Sequence, residues 1–432
     1  MIEANLVLLG VFLVLLAIGA PIAVSLGLAG AAAVAIGLDL TTVAMIGTNT
    51  YASVAKYPLI AIPLFVLTGM VFERSGVAGK LVIFAQSIVG PRRGGLAIVA
   101  TLVCLIMGGM SGSGPADAAA VATIMIPSMV KAGYPRAFSA SLIAASASTA
   151  ILIPPSIALI VYSIMVPGVD LRALFAAGVF PGILAGLAVI IPTLIISRVK
   201  NFGAAEAAER PPFWASFKGA IPGLMAPVII LGGLRSGLFT PTEAAAVAVA
   251  YGLFVGVVIY RNMNFSDVWR VMADSAETSA VIMIIISLAG LFAWAGSTLG
   301  AFDQAAQGIL AISDNGSLVL IMIMAVLLIA GMILDGVSIY LITLPLLVPI
   351  AMAFEWNLTW FGVLMAMNVA IGQFTPPVAV NLMITARIAR IPIEHTVPWV
   401  MWLMLTMGIA LLLVIVFPGI ALWLPGVLGY RI

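Results

Sequence analysis

The chain has 432 residues, of which 63% are hydrophobic and 8% are charged, and its formal net charge is +2. A soluble globular domain has roughly 25% charged residues, so a soluble fold could not keep this much apolar surface away from water. Long apolar runs recur along the whole chain, each close to the ~20 residues that span a bilayer. The composition therefore excludes a soluble globular protein and predicts an all-α polytopic membrane protein.

Two residue types that carry much of enzyme chemistry are almost absent. The single cysteine, Cys104, lies inside an apolar run, which excludes an internal disulfide and a Cys-based metal cluster. The single histidine, His395, leaves no histidine-rich metal site. The sequence also lacks the G-x-x-x-x-G-K-[ST] phosphate loop that would let it use ATP. We therefore expect no enzymatic activity, and any work must be driven by an ion gradient or by a partner subunit.

The apolar segments alternate with short polar connections. In chain order they are 5–20, 21–37, 58–75, 94–130, 137–165, 173–197, 220–234, 241–260, 279–297, 316–352, 359–386 and 398–424. Two of them, 94–130 and 316–352, are too long for a single crossing and are interrupted near the middle by glycine. We predict that these two are re-entrant hairpins and that the other ten segments cross the membrane.

This arrangement divides the basic residues unequally between the two sides. Fourteen Lys and Arg residues, Arg92 and Lys131 among them, fall on one side, and only Lys56, Arg172, Arg235 and Arg431 fall on the other. Cytoplasmic loops carry an excess of Lys and Arg. The bias predicts a bacterial inner-membrane protein with both termini in the periplasm.

Two stretches, 76–91 and 264–278, mix charges with apolar residues. This composition predicts amphipathic arms along the cytoplasmic surface. Glu243 has a different explanation, because Thr240-Pro241-Thr242-Glu243 has the pattern of a capping box with Pro at the first helical position.

The two halves of the chain share their helix-breaking residues at an offset of 222 positions. The matching residues are Gly109 and Gly331, Gly114 and Gly336, Pro127 and Pro349, and Pro154-Pro155 and Pro376-Pro377. We therefore predict a first repeat at 1–197, a linker at 198–219 and a second repeat at 220–432. Each repeat has five crossings and one hairpin, and the odd number of crossings makes the second repeat inverted. Inverted repeats with interrupted helices are typical of secondary transporters.

Each half contains two predicted helix breaks, one at the hairpin tip and one at a Pro-Pro in the following segment, 137–165 or 359–386. Proline removes an N–H donor and leaves carbonyl groups unpaired. Unpaired backbone groups are costly in an apolar medium, so such breaks usually face a bound ion or substrate. Carbonyl oxygens of this kind suit Na⁺. The alternative is that the prolines only shape the packing.

Two acidic residues lie at these breaks, Asp117 after the first tip and Asp335 within the second. A carboxylate at mid-membrane costs on the order of 3 kcal/mol or more, so it is normally functional or neutralised. For Asp117 there is an alternative, namely that it caps the second arm of its hairpin.

Three motifs carry a family resemblance. They are GGMSGSGPAD at 108–117, GPRRGG at 90–95 and IPPS at 153–156. Together they resemble the large membrane subunit of tripartite ATP-independent periplasmic (TRAP) transporters, and the resemblance covers essentially the whole chain. It implies Na⁺-coupled import of a small carboxylate, such as a C4-dicarboxylate or sialic acid, by an elevator mechanism. It also implies two protein partners, a periplasmic solute-binding protein and a small four-helix membrane subunit. The chain would contact membrane lipid and would bind no nucleic acid.

The resemblance also implies binding residues at matching positions. One Na⁺ site would use Ser111, Ser113, Ala150, Ile153 and Pro155. The second would use Gly331, Asp335, Gly372, Thr375 and Val378. The substrate would lie between the two tips, near Ser113, Asp117 and Ser156. The second Pro-Pro follows Thr375 where the first follows Ile153, so the two sites are expected to differ chemically.

Other functions remain open at this point. The main alternative is a self-sufficient Na⁺/dicarboxylate symporter of related architecture, which would need no partner proteins. A channel is a more remote alternative, because a channel gains nothing from paired hairpin tips. An intramembrane enzyme would need a nucleophile and base or a metal constellation, which one His and one Cys do not supply.

Overall fold

The computed structural model describes residues 2–38, 40–203, 210–311 and 313–431, which form helices joined by short connections. The helices of the first half are α1 (Ile2–Ala17), α2 (Ile22–Gly37), α3 (Leu40–Val43), α4 (Ile46–Val54), α5 (Ala61–Arg74), α6 (Val77–Val89), α7 (Gly95–Ser111), α8 (Gly114–Lys131), α9 (Arg136–Ser148), α10 (Ile157–Met165) and α11 (Leu171–Val199). Those of the second half are α12 (Phe213–Ser236), α13 (Pro241–Phe254), α14 (Phe265–Thr298), α15 (Ala301–Leu310), α16 (Gly316–Gly331), α17 (Gly336–Ala353), α18 (Leu358–Gly372), α19 (Val380–Ala389), α20 (Val397–Val416) and α21 (Gly419–Val427). The described residues contain no β-strand, which agrees with the predicted all-α class.

Several helices are suited to a bilayer. Seven in the described part of the chain are long and apolar enough to cross a membrane. Large apolar side chains also point outward, for example Ile18 at 73% and Ile191 at 55% exposure. An outer surface of this kind requires a lipid environment. One of the seven, Gly336–Ala353, lies in the predicted second hairpin, so six correspond to predicted crossings. The other four predicted crossings are α1 and α2, with 16 residues each, and the segments 137–165 and 359–386, which are each divided between shorter helices.

Both predicted hairpin segments are interrupted where the glycines lie. The first consists of α7 and α8 with a break at 112–113, and the second of α16 and α17 with a break at 332–335. The two following segments are also broken, between α9 and α10 and between α18 and α19. The peptide bonds Pro154-Pro155 and Pro376-Pro377 in these breaks are cis. The predicted interruptions are therefore confirmed.

The helix bounds recur between the halves. At an offset of 222 residues, Gly114–Lys131 coincides with Gly336–Ala353, and the first residue of α9 coincides with the first residue of α18. The broken helices also meet each other, because α19 packs against both α8 and α9. The elements that surround the breaks thus come from both halves of the chain, while the inverted relation of the halves stays a prediction.

Three local predictions can be compared with the helices directly. The stretch 264–278 is not a separate arm, because α14 continues through it as one helix of 34 residues, Phe265–Thr298. No Gly or Pro interrupts the chain between Phe265 and Ala289, so nothing ends the helix there. The stretch 76–91 does form its own helix, α6, which packs on α7 and α12. Finally, α12 begins at Phe213, within the range 198–219 assigned to the linker.

The predicted capping box at the start of α13 is present. The backbone N–H of Thr240 donates to the Glu243 carboxylate at 2.8 Å, and the Glu243 N–H donates to the Thr240 hydroxyl at 3.3 Å. The reciprocal pair satisfies two donors that have no partner inside the helix. Glu243 therefore has a structural role.

Candidate functional site

A cavity of about 430 Å³ lies where the two hairpin tips meet. Its volume falls in the range of small-molecule sites. The wall combines the first tip, the second tip, both helix breaks, α5 and α14. The residues are Gly112, Ser113, Gly114, Pro115, Ala116 and Ala119; Asp335, Gly336 and Val337; Ile151, Ile157, Ala158 and Gln373; Val66, Gly69, Met70 and Glu73; and Thr278 and Ile282.

The first tip packs closely against the first break. Gly108 and Gly112 both face the chain around the Pro-Pro, and a Cβ on Gly108 would lie 2.7 Å from the Ala150 Cα. Gly112 has φ +59°, and a Cβ there would overlap the Pro155 carbonyl oxygen. Only glycine fits this combination of left-handed backbone and close approach. The packing brings residues of the predicted first Na⁺ site together, with Ser111 at the last position of α7.

The second tip is held by its own break in a similar way. The Met332 carbonyl accepts hydrogen bonds from the N–H groups of Val378 and Ala379, both at 3.2 Å. A Cβ on Gly331 would lie 3.1 Å from the Gly372 Cα. The structure thus places Gly331, Gly372 and Val378 of the predicted second Na⁺ site beside one another.

The polar side chains of the predicted second Na⁺ site, Thr375 and Asp335, each have a hydrogen-bond partner. The Thr375 hydroxyl donates to the Ile371 carbonyl at 2.6 Å, which leaves its oxygen able to accept or to ligate. Asp335 is the N-cap of α17, and its Oδ1 accepts hydrogen bonds from the N–H groups of Val337 and Ser338 at 3.0 and 3.1 Å. Asp335 lines the cavity.

The three predicted substrate residues have different positions. Ser113 lines the cavity, whereas Asp117 and Ser156 are fully buried outside the lining. The Asp117 carboxylate accepts a hydrogen bond from the Ser111 hydroxyl at 2.7 Å. The Ser156 hydroxyl caps α10 by accepting from the Leu159 N–H at 3.4 Å. Asp117 and Ser156 therefore lie behind the cavity wall and hold the tip and the break in place.

The structure bears on the alternative role of Asp117 as a helix cap. In the described part of the chain its carboxylate has the Ser111 hydroxyl as its side-chain partner, and its Oδ2 is buried without a hydrogen bond. It lies in the first turn of α8, where a negative charge interacts favourably with the helix dipole. The hydrogen bond between Ser111 and Asp117 nevertheless crosses the break at 112–113. The Asp117 carboxylate therefore contacts the last residue of α7, the first arm of the hairpin.

The cavity is acidic. Its lining includes the carboxyl groups of Glu73 and Asp335, and no Lys, Arg or His is among the described residues that form it. Within the described ranges the ion pair is Arg172 with Asp170 at 3.2 Å, which lies on the surface. An anionic ligand in this cavity would need a cation beside it, since unpaired charges are costly away from water.

Three polar or charged lining residues, Glu73, Thr278 and Gln373, were not predicted as site residues from the sequence. Glu73 lies beside Arg74 at the end of a segment, so it has the pattern of an ordinary interfacial charge. Thr278 lies in the stretch predicted as a surface arm. Gln373 belongs to the broken motif 371–377, and its polarity inside an apolar segment is the signal that could have identified it.

The chain resembles known transport proteins over nearly its whole length. The model of the DctM component of tripartite ATP-independent periplasmic transporters matches residues 9–420. The C4-dicarboxylate TRAP transporter large permease protein DctM of Pseudomonas aeruginosa is 39% identical over 409 residues, which cover 94% of each chain. The 2,3-diketo-L-gulonate large permease YiaN of Escherichia coli is 37% identical, over 91% of this chain and 92% of the relative. The sialic acid large permease SiaM of Vibrio cholerae is 34% identical, over 91% of each chain.

A solved structure shares the fold. The YdaH transporter of Alcanivorax borkumensis superposes with a TM-score of 0.62, at 15% identity, over 97% of this chain and 99% of that chain. The helices and the broken segments therefore define a multi-pass helical membrane protein with this fold. The chain belongs to the large permease family of TRAP transporters, the DctM component. This family comprises transporter permeases and not enzymes, and it is found in the bacterial inner membrane.

Proposed function

We propose that the chain imports a small carboxylate, of the C4-dicarboxylate or sialic acid type, and that an inward Na⁺ gradient drives this import. The observation that carries the proposal is the cavity whose wall includes residues of both hairpin tips and both helix breaks. Relatives named for a C4-dicarboxylate, a diketogulonate and sialic acid support the substrate class.

The charge of the cavity supports Na⁺ coupling. A carboxylate substrate would enter a space that already contains Glu73 and Asp335 and no basic lining residue. Bound Na⁺ would neutralise part of this charge, so that the substrate and the ion would bind better together than separately. The proposed ligands are carbonyl groups at 111–113, 150–155, 331–335 and 372–378, the hydroxyl groups of Ser111, Ser113 and Thr375, and the carboxylate of Asp335.

The proposed partners are a small four-helix membrane subunit and a periplasmic solute-binding protein. The matching family is by its description one component of a tripartite transporter. The binding protein would deliver the carboxylate to the cavity, and the small subunit would support the large permease in the bilayer.

The proposed movement is that of an elevator, in which the hairpins and the broken helices, together with α11, slide as one body against the remaining helices. Three glycines of α11 support a rigid body that includes this helix. A Cβ on Gly178 would lie 2.5 Å from the Leu152 carbonyl oxygen, and one on Gly182 would lie 2.5 Å from the Ile153 Cδ1. A Cβ on Gly186 would lie 2.6 Å from a methyl group of Leu105 on α7. Such close packing favours joint movement of α11 with the first hairpin and the first break.

The experiment is uptake into proteoliposomes that contain the large permease and the small subunit, with the cognate binding protein outside. Radiolabelled succinate, 2,3-diketo-L-gulonate and N-acetylneuraminate are the probes. We expect accumulation of one of them when Na⁺ is high outside, and none when K⁺ replaces Na⁺ or when an ionophore collapses the gradient. Equal accumulation in Na⁺ and in K⁺ would contradict the proposal.

A further inference from the structure

Gln373 occupies a distinctive position between the two hairpin tips. It follows α18 in the second break, it is 7% exposed, and it lines the cavity. A Cβ on Gly114 would lie 2.6 Å from its Oε1, and a Cβ on Gly336 would lie 3.7 Å from its Nε2. The carboxamide therefore spans the space between the first residue of α8 and the first residue of α17.

The carboxamide of Gln373 is not satisfied within the protein. Its Oε1 is buried without a hydrogen-bond partner, and its Nε2, the donor atom, has no acceptor among the described residues. The neighbouring Asn381 is fully buried, and its backbone N–H donates to the Gln373 carbonyl at 3.0 Å, which fixes the backbone of the break. A buried amide without partners costs free energy and usually has a functional reason. Gln373 lies on the cavity wall, so a ligand in the cavity can be the acceptor for its two Nε2–H groups.

We infer that Gln373 positions the substrate by donating a hydrogen bond from its amide to a carboxylate oxygen, an inference that rests on the proposed function. Among the lining side chains the uncharged donors are Ser113, Thr278 and Gln373, and only Gln373 offers two N–H groups. Bound Na⁺ supplies the positive charge, and the amide supplies a directional contact. Gln373 thereby fixes the position of one substrate carboxylate between the tips.

Two substitutions separate the hydrogen bond from the volume of the side chain. Gln373→Leu keeps a similar size and removes both polar atoms. We expect its KM for substrate at saturating Na⁺ to rise about tenfold or more, which corresponds to the loss of a hydrogen bond to a charged group. Gln373→Glu keeps the shape but adds a third carboxyl group near Asp335 and Glu73. We expect a larger rise in KM, and a greater one for a dicarboxylate than for a monocarboxylate.

Asn368→Leu is the matched control. Asn368 lies on α18, the helix that precedes Gln373, is 1% exposed and also has an unpartnered side-chain oxygen, but it is outside the cavity lining. Its Nδ2 donates to the Met324 carbonyl at 2.7 Å. Its replacement should lower the melting temperature and leave the KM for substrate at its wild-type value.

The assay is the three-component proteoliposome uptake described above, with whichever of the three probes the wild type accumulates, and KM is measured against the concentration of substrate-loaded binding protein. A KM increase in Gln373→Leu and Gln373→Glu, with a wild-type KM in Asn368→Leu, supports the inference. An unchanged KM in Gln373→Leu overturns it, as does an equal increase in Asn368→Leu or a shift confined to the half-saturating Na⁺ concentration. If Gln373→Leu does not fold, the isosteric Gln373→Glu decides alone. A wild type without Na⁺-driven uptake refutes the proposed function itself, and this inference with it.

Discussion

Asp335 combines a structural contact with a place on the cavity wall. Its Oδ1 accepts two backbone hydrogen bonds at the start of α17, and its Oδ2 accepts one from the Ser338 hydroxyl at 2.5 Å. A carboxylate has about four lone-pair positions, so these three bonds leave room for a cation. A cap of this kind stabilises a helix by ~1 kcal/mol. The cap and the proposed Na⁺ contact can therefore be separated by substitution.

Asp335→Asn is predicted to weaken Na⁺ coupling without weakening the fold. Asn caps helices about as well as Asp, so the change removes the charge and keeps the cap. We expect a several-fold higher half-saturating Na⁺ concentration in proteoliposome uptake and an unchanged melting temperature. Asp335→Ala, as the control, should also lose ~1 kcal/mol of stability. An unshifted Na⁺ curve for Asp335→Asn would remove this residue from the proposed site.

The side chains around the cavity show where reasoning from the sequence stops. The resemblance to the family named Ser113, Asp117 and Ser156 together as substrate residues, yet only Ser113 lines the cavity. Gln373 lines it and was not singled out. The direction of a side chain depends on how separate helices pack against each other, and neither periodicity nor motif spacing contains this information. The positions of the chain breaks, in contrast, follow from local Gly and Pro chemistry.

The hairpin turn at Gly112 is an element whose geometry depends on one residue. The turn combines φ +59° with close packing on the Pro155 carbonyl and the Ser156 Cα. Gly237, which follows α12, also has a left-handed backbone, at φ +73°, but nothing lies within 4 Å of a Cβ there. The two glycines differ in packing and share their backbone conformation.

Gly112→Ala is therefore predicted to disrupt the first tip, whereas Gly237→Ala should not affect transport. An Ala in the left-handed region costs about 1–2 kcal/mol at either position. At Gly112 the added methyl group must also displace the first break. We expect a lower melting temperature for both variants and loss of uptake for Gly112→Ala alone. Comparable uptake by the two variants would show that the tip tolerates displacement.

The element boundaries also show how far the sequence predicts this fold. Both hairpin interruptions and both broken segments occur at the predicted glycines and prolines. The sequence analysis does not predict α14 as one helix, because the charged residues of 264–278 indicate a separate surface arm. The chain has no helix breaker there, and α14 continues through this stretch. Charge indicates the polarity of the surroundings and does not by itself end a helix.

At the scale of the whole molecule, the bias of the basic residues predicts the orientation in the membrane. Arg92 and Lys131 should face the cytoplasm, and Arg172 and Arg431 the periplasm. All four side chains are exposed in the structure. Each should therefore accept a cysteine, and the fully buried Cys104 can be replaced by Ala as background.

Labelling of intact cells with an impermeant thiol reagent tests this orientation. We expect Arg172→Cys and Arg431→Cys to react, and Arg92→Cys and Lys131→Cys to react only after permeabilisation, which serves as the control for accessibility. Reaction of Lys131→Cys from outside would mean that the second arm of the first hairpin crosses the membrane, and the predicted re-entrant hairpin would be wrong.

The last prediction separates a tripartite system from a self-sufficient symporter of related architecture. Reconstituted alone, this chain should accumulate none of the three probes, because substrate would not be delivered to the cavity between the tips. Addition of the small subunit alone should not restore uptake, and addition of both partners should restore it in a Na⁺ gradient. Robust uptake by the chain alone would contradict the partner proposal, while the Asp335→Asn and Gln373→Leu experiments could then be carried out on the single chain. Uptake with the small subunit alone would show that the binding protein raises the local substrate concentration and does not trigger transport.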